Sequence, residues 1–234
     1  MKKPKFLVSR EDRKLINSIL TKIEIKKRNL ETQVMSFSQL FNLLTEDEVA
    51  LIKRFKNINP RIYGFKGRFL GIQKVPKNLV KIKNQKYKRE GKSEKIEAQY
   101  LPKPVYLAYK KLNQALHRDI GKRLLIDSGY RSSANQVTSF LWYLNFYKFN
   151  FLKTVRRVAI AGYSEHGFSR GQALDFITTN GIPNDERPMD FEKTIEYSWL
   201  MKNADKFGFY QSYPRNNGLG IMFEPWHWAL KRKP

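Results

Sequence analysis

The strongest constraint on how this chain can fold comes from two short segments that lie far apart in it. One reads SEHGFSRGQALDF over residues 164–176 and the other EPWHW over residues 224–228. Between them they hold two of the three histidines, His166 and His227, together with Asp175 and Glu224. Two neutral imidazoles and one carboxylate are a usual ligand set for a catalytic zinc, which keeps a fourth position for water. Glu224, three residues before His227, is placed to act as a general base beside such a water. A fold that serves this set must bring the two segments together.

The elements between and before them can be read from periodicity. Leu15, Ile16, Ile19, Leu20 and Ile23 form one apolar face of a helix over residues 10–30, with Ser9 as N-cap and Asp12 three positions on. Thr45 and Glu48 form a capping-box pair for a second helix, 46–57, and Phe37 to Leu44 suggest a short helix between them. Residues 59–71 are rich in Gly, Pro and aromatics and read as a turn-rich connection with a short strand at 69–72. Residues 74–95 carry nine Lys/Arg and two Glu, the pattern of a solvated loop, with a docking patch for an anionic surface as the alternative.

Further on, 102–118 reads as a helix with Val105, Leu107, Leu112 and Leu116 inward. His117 lies in this helix without an acidic neighbour at ligand spacing and is read as structural. A strand over 122–128 ends in the turn SGYRS, and 132–147 reads as a helix whose crowded aromatics belong to the core. Short strands at 159–163 and 173–178 flank the loop that carries His166. A helix over 190–207 places Ile195, Trp199, Leu200 and Ala204 inward, an extended segment follows at 209–213, and 220–223 with 226–230 form a closing strand. Short strands and helices mix without a βαβ rhythm, so the expected class is α+β with an antiparallel sheet.

Composition narrows the chemistry. The chain has no cysteine, so any metal must be held by nitrogen and oxygen and no disulfide framework exists. Its 45 Lys+Arg against 21 Asp+Glu give a net charge of +24, which attracts polyanions such as nucleic acid, anionic wall polymers or lipid head groups. A lysine-rich codon usage would supply part of that charge with no functional meaning. No apolar run approaches the ~20 residues of a membrane span. The basic start, MKKPKFLVSREDRKL, has no apolar run after it, so no secretory signal is visible.

From about Pro102 to the end the chain resembles the D-alanyl-D-alanine carboxypeptidases of the vancomycin-resistance type, within the LAS zinc metallopeptidases (lysostaphin, D-Ala-D-Ala peptidases, sonic hedgehog). That family's pattern is SxHxxGxAxD followed by ExxH, with SGYRS upstream. Here SGYRS stands at 128–132, Ser164-Glu165-His166 and Gly171-Gln172-Ala173-Leu174-Asp175 follow, and Glu224-Pro225-Trp226-His227 closes the set. The run FGFYQSYP, residues 207–214, also fits. One departure stands out: eight residues rather than six separate His166 from Asp175, with the extra pair near Ser169 and Arg170.

The resemblance implies an α+β fold with a small central antiparallel sheet flanked by helices. Residues 1–58 would be a helical N-terminal extension packed on the main domain, 59–101 a basic connecting segment, and 102–234 the peptidase domain. It implies one Zn²⁺ per chain, held by His166, Asp175 and His227, and Glu224 as the base that takes a proton from water and passes it to the departing amine. Arg131 would stabilise the oxyanion or hold a substrate carboxylate. Ser164 and Gln136 would hydrogen-bond the substrate, and Trp226 would wall the pocket. The implied substrates are peptidoglycan stem peptides, with terminal D-alanine released from a D,D- or L,D-linked end, in the cell envelope. Residence in the cytoplasm until release is the alternative location.

Two rival readings stay open. One is an endolysin-like endopeptidase acting within the stem. The other is a basic polyanion-binding protein with a vestigial site, although no nucleic-acid-binding signature accompanies the charge.

Overall fold

The structure, a computed structural model, describes residues 8–26, 31–168, 171–183 and 187–231. In chain order its elements are α1 (Arg10–Lys26), α2 (Phe37–Phe41), α3 (Glu46–Lys56), β1 (Leu79–Ile82), β2 (Lys86–Arg89), β3 (Lys92–Lys95), β4 (Gln99–Pro102) and α4 (Lys103–Ile120). Then follow β5 (Leu124–Ser128), α5 (Ser133–Phe146), α6 (Phe151–Arg157), β6 (Ala173–Thr178), α7 (Ile195–Asn203), β7 (Phe209–Gln211) and β8 (His227–Leu230). The class is α+β with antiparallel sheets, as the mixed element order predicts. No helix among the described residues is long and apolar enough to cross a membrane.

Contacts divide the chain into two compact units. The first comprises Met1–Val75, Arg131–Gly167 and Asn216–Met222. Its core joins Ile16 and Ile19 of α1, Leu40 of α2 and Ile52 and Phe55 of α3 to Phe140, Leu141 and Leu144 of α5 and Val155 of α6. The N-terminal helices therefore share their core with α5 and α6.

Both of the predicted N-caps form in this unit. The Ser9 hydroxyl accepts from the Asp12 N–H while the Asp12 carboxylate accepts from the Ser9 N–H. Thr45 and Glu48 exchange the same pair of bonds at the start of α3. Ser132 caps α5 by accepting from the Asn135 N–H, and its hydroxyl donates to the Met35 carbonyl at 2.6 Å. The α5 aromatics divide, contrary to expectation. Phe140 is core, whereas Trp142 and Phe146 are 44% and 53% exposed and stack on each other. Their positions on the helix turn away from the face that Phe140 and Leu144 share. Residues 159–163 form a turn rather than a strand, and 69–72 have no ladder; the Leu70 and Gly71 N–H groups both donate to the Gly162 carbonyl.

The second unit comprises Pro76–Tyr130, Phe168–Arg215 and Phe223–Pro234. Its main sheet has the order β5-β6-β8-β7, antiparallel throughout. Leu112 and Leu116 of α4, Leu124 and Ile126 of β5, Leu174 and Phe176 of β6, Trp199 and Leu200 of α7, Phe209 of β7 and Trp228 of β8 form its core. Leu107 and Ile195, expected inward, are 48% and 54% exposed. Tyr109 and Ala115 take the inward places on α4. The segment expected as one helix over 190–207 is a 3-10 turn, then α7, then a second 3-10 turn ended by Gly208 at φ 81°. The closing strand is shorter than expected, because 220–223 stays irregular.

The basic run over 74–95 is only partly loop, since residues 79–82, 86–89 and 92–95 are strands. Strand β1 pairs with β4, and β2 with β3, each antiparallel. The β2–β3 connection is the two-residue Glu90-Gly91, both at positive φ (49° and 78°), as a tight hairpin requires. This hairpin is held by polar contacts. Tyr87 donates to Glu94 at 2.6 Å, Arg89 to the Gly181 carbonyl at 3.1 Å, and the Lys88 N–H to the Thr179 carbonyl at 2.9 Å. Burial and the Glu94 carboxylate push the Tyr87 phenol up to about 12.

Candidate metal centre

Strand register explains how Asp175 and His227 meet. Strands β6 and β8 pair with Asp175 opposite His227 and Leu174 opposite Trp228. Cross-strand partners project to the same face of a sheet. Asp175 Oδ1 thus lies 2.8 Å from His227 Nδ1. On its other side Asp175 pairs with Ser128 of β5, next to an irregularity after Ile126.

Glu224 reaches the same imidazole through a tight turn. The His227 N–H donates to the Glu224 carbonyl at 3.2 Å, closing Glu224-Pro225-Trp226-His227 with proline at the second position, where its fixed φ suits a turn. One Glu224 oxygen then lies 3.8 Å from His227 Nδ1. This is the physical content of the ExxH spacing. Glu224 and His227 are both buried, at 5% and 2% exposure.

Two residues of the preceding segment hold these groups. The Gln211 amide donates to the Glu224 carbonyl at 3.3 Å. Tyr213 accepts the Glu224 N–H through its own carbonyl at 3.1 Å, and its ring stacks on the His227 ring, with centroids 4.6 Å apart and planes 19° from parallel.

His166 sits in a 3-10 turn, Glu165–Gly167, and is buried. Its N–H donates to the Ser164 hydroxyl at 3.3 Å, and its carbonyl accepts from the Arg131 N–H at 3.0 Å. A Cβ on Gly167 would lie 3.0 Å from the Arg131 carbonyl, so this glycine permits the close approach of the two backbones. Arg131 donates through Nη1 to Gln136 Oε1 at 3.0 Å, and Gln136 Nε2 donates to the Ala159 carbonyl at 2.6 Å. Tyr130, beside Arg131, is a core residue whose hydroxyl finds no partner among the described residues, and burial pushes it up to about 12.

Among the described residues, His166, Asp175 and His227 form a group that could hold a metal ion, their ligand atoms all within 4.8 Å of one another. Two ligands on one zinc ion, each about 2.0–2.2 Å from it, span at most about 4.4 Å. The 4.8 Å within which the donor atoms lie is a few tenths of an ångström above that maximum. A nitrogen and oxygen donor set with both imidazoles buried fits zinc.

Residues 98–231 match the family profile of VanY, D-alanyl-D-alanine carboxypeptidase. The chain belongs to this family. YodJ of Bacillus subtilis (strain 168), provisionally named a carboxypeptidase, is 31% identical over 214 residues, covering 86% of this chain and 71% of that protein. The solved LdcB LD-carboxypeptidase is 30% identical with a TM-score of 0.53, covering 68% of this chain and 70% of that one. A vancomycin-resistance D,D-pentapeptidase VanY, solved in complex with Zn(II), is 23% identical with a TM-score of 0.46, covering 63% of this chain and 78% of that one.

For this VanY-family chain, the structure gathers the three ligand candidates, and Glu224 adjoins His227. Ser164 and Arg131 are tied to the His166 backbone, and Gln136 is tied to Arg131. Trp226 is the third residue of the turn and is 4% exposed. The extra pair Ser169–Arg170 lies outside the described residues. Tyr213 and Gln211 were not singled out from sequence. Both lie in FGFYQSYP, a run that fits the family pattern without indicating what its side chains touch.

Proposed function

We propose that this chain is a zinc-dependent carboxypeptidase that releases the terminal D-alanine of peptidoglycan stem peptides. The observation that carries the reading is the His166/Asp175/His227 donor set with the Glu224 carboxylate beside it. His166, Asp175 and His227 would hold the ion. When bound, zinc supplies Lewis-acid polarisation of a carbonyl and makes water a nucleophile near neutral pH.

The other roles belong to side chains of this chain. A Glu224 carboxylate oxygen takes the proton of the attacking water and returns it to the nitrogen of the departing amine. The Arg131 guanidinium, a planar fork matched to carboxylates, holds the substrate's terminal carboxylate or the developing oxyanion. Gln136 has both ends of its amide engaged, on Arg131 and on the Ala159 carbonyl, so in this reading it acts on the substrate by orienting Arg131. Ser164 contributes a hydrogen bond to the substrate and Trp226 an apolar wall.

The peptidoglycan substrate is supported by the family and by the LdcB relative, whose structure concerns peptidoglycan recognition. That relative is an LD-carboxypeptidase, which favours a tetrapeptide ending in D-alanine over a pentapeptide. Action on such a substrate places the working enzyme at the cell envelope, where the net charge of +24 would attract anionic wall polymers.

The test is to incubate the purified chain with a defined tetrapeptide and pentapeptide, weigh the products, and measure bound metal. Loss of one alanine, with about one zinc per chain, is expected, and Glu224→Ala should abolish turnover by ~10²-fold or more while zinc is retained. Cleavage inside the stem would assign an endopeptidase instead. A chain with neither zinc nor hydrolysis, but with tight polyanion binding, would overturn the enzyme reading.

A further inference from the structure

Tyr213 meets the candidate centre at two points. Its ring lies against His227 with centroids 4.6 Å apart and an interplanar angle of 19°, and its carbonyl accepts the Glu224 N–H at 3.1 Å. Its side chain is buried, at 6% exposure, and it belongs to the irregular stretch just beyond β7. Asp175 Oδ1 approaches one edge of that imidazole, 2.8 Å from Nδ1, while the Tyr213 ring covers one of its faces. A flat ring stacked on a face opposes tilting of the imidazole out of its plane. The lone pair of an imidazole nitrogen lies in the ring plane, so the plane decides whether the nitrogen points at a shared ion.

We infer that Tyr213 is a positioning residue that sets the plane of the His227 imidazole and, through its carbonyl, the placement of Glu224, so that metal affinity depends on an aromatic ring at position 213. This rests on the metal reading under Proposed function. The residue acts through His227 and touches neither ion nor substrate in this account. What matters is the flat ring and the backbone carbonyl, so phenylalanine should serve and an aliphatic side chain of similar bulk should not.

The experiment measures zinc affinity of the full chain by competition with a chromophoric chelator, for wild type, Tyr213→Phe and Tyr213→Leu, with far-UV circular dichroism to confirm the fold. Tyr213→Phe should hold zinc within about threefold of wild type, while Tyr213→Leu should weaken it by roughly tenfold or more, the usual size of losing a group that orients a metal ligand. If Tyr213→Leu does not fold, Tyr213→Met takes its place, since it fills the volume without a ring plane. Wild-type affinity in the folded aliphatic variant, or equal losses in the phenylalanine and aliphatic variants, overturns the role of the ring while the metal site stands. A wild-type chain that binds no zinc overturns the metal site itself and this inference with it.

Discussion

At the scale of single residues, the site depends on groups that hold other groups. Asp175 and Tyr213 constrain His227 by position and by plane, and Gln136 constrains Arg131. In the proposed role of Arg131, the charged fork matters because two parallel N–H groups match a carboxylate, and a lysine ammonium at the same place offers a point charge without that match. Arg131→Lys should therefore reduce kcat/KM on a peptide with a free terminal carboxylate by roughly tenfold or more, with zinc content unchanged. Steady-state kinetics with parallel metal analysis checks it, and wild-type kinetics in the variant would remove Arg131 from the reaction. The ligand candidates were legible in the sequence because two of the three histidines and the carboxylates near them cluster in two short motifs. Tyr213 was not, because stacking is a relation between two planes and leaves no mark in residue spacing.

At the scale of elements, capping was legible and burial of the cap was not. Thr45 and Glu48 mark the start of α3 by their spacing alone. Only the structure shows that Glu48 is 1% exposed and also receives the Lys22 ammonium at 2.6 Å and the Ser18 hydroxyl at 2.7 Å from α1. Burial drives its carboxyl up, but Lys22, Ser18 and the Thr45 N–H outweigh this and hold it below the ordinary carboxylate value. The unfolded chain therefore binds this proton more readily than the folded one. The resulting stability is complete above the unfolded value near ~4.3 and is lost as pH falls through the lower folded value. Glu48→Gln should cost about 1–3 kcal/mol at neutral pH and should flatten the loss of stability below about pH 4. Urea unfolding at pH 7 and pH 3 checks this, and equal pH dependence in both proteins would contradict it. The basic hairpin β2–β3 shows the opposite case. Its strands carry little apolar alternation, and what orders them is hydrogen bonding to residues 179 and 181, far along the chain.

At the scale of the whole molecule, the dominant property is charge. A surplus of 24 positive charges acts over about one Debye length, ~8–10 Å at physiological salt, and so affects association with an extended polyanion more than the chemistry of a small peptide. Raising salt should weaken binding to an anionic wall preparation more steeply than it slows hydrolysis of a soluble tetrapeptide. Sedimentation with wall fragments and a peptide assay over the same salt series would show this, and parallel salt curves would deny the charge a docking role.

Near neighbours alone made legible the helix starts with their caps, the mixed class, and the identity of the ligand candidates. These follow from side-chain chemistry acting over a few residues. That α1–α3 share a core with α5 and α6, that much of the lysine-rich stretch forms strands, and that Asp175 falls opposite His227 emerge only in the folded chain. Each of these is a pairing between distant segments. Such pairings are chosen by register and by which apolar faces are buried together, and neither is encoded within a single local window.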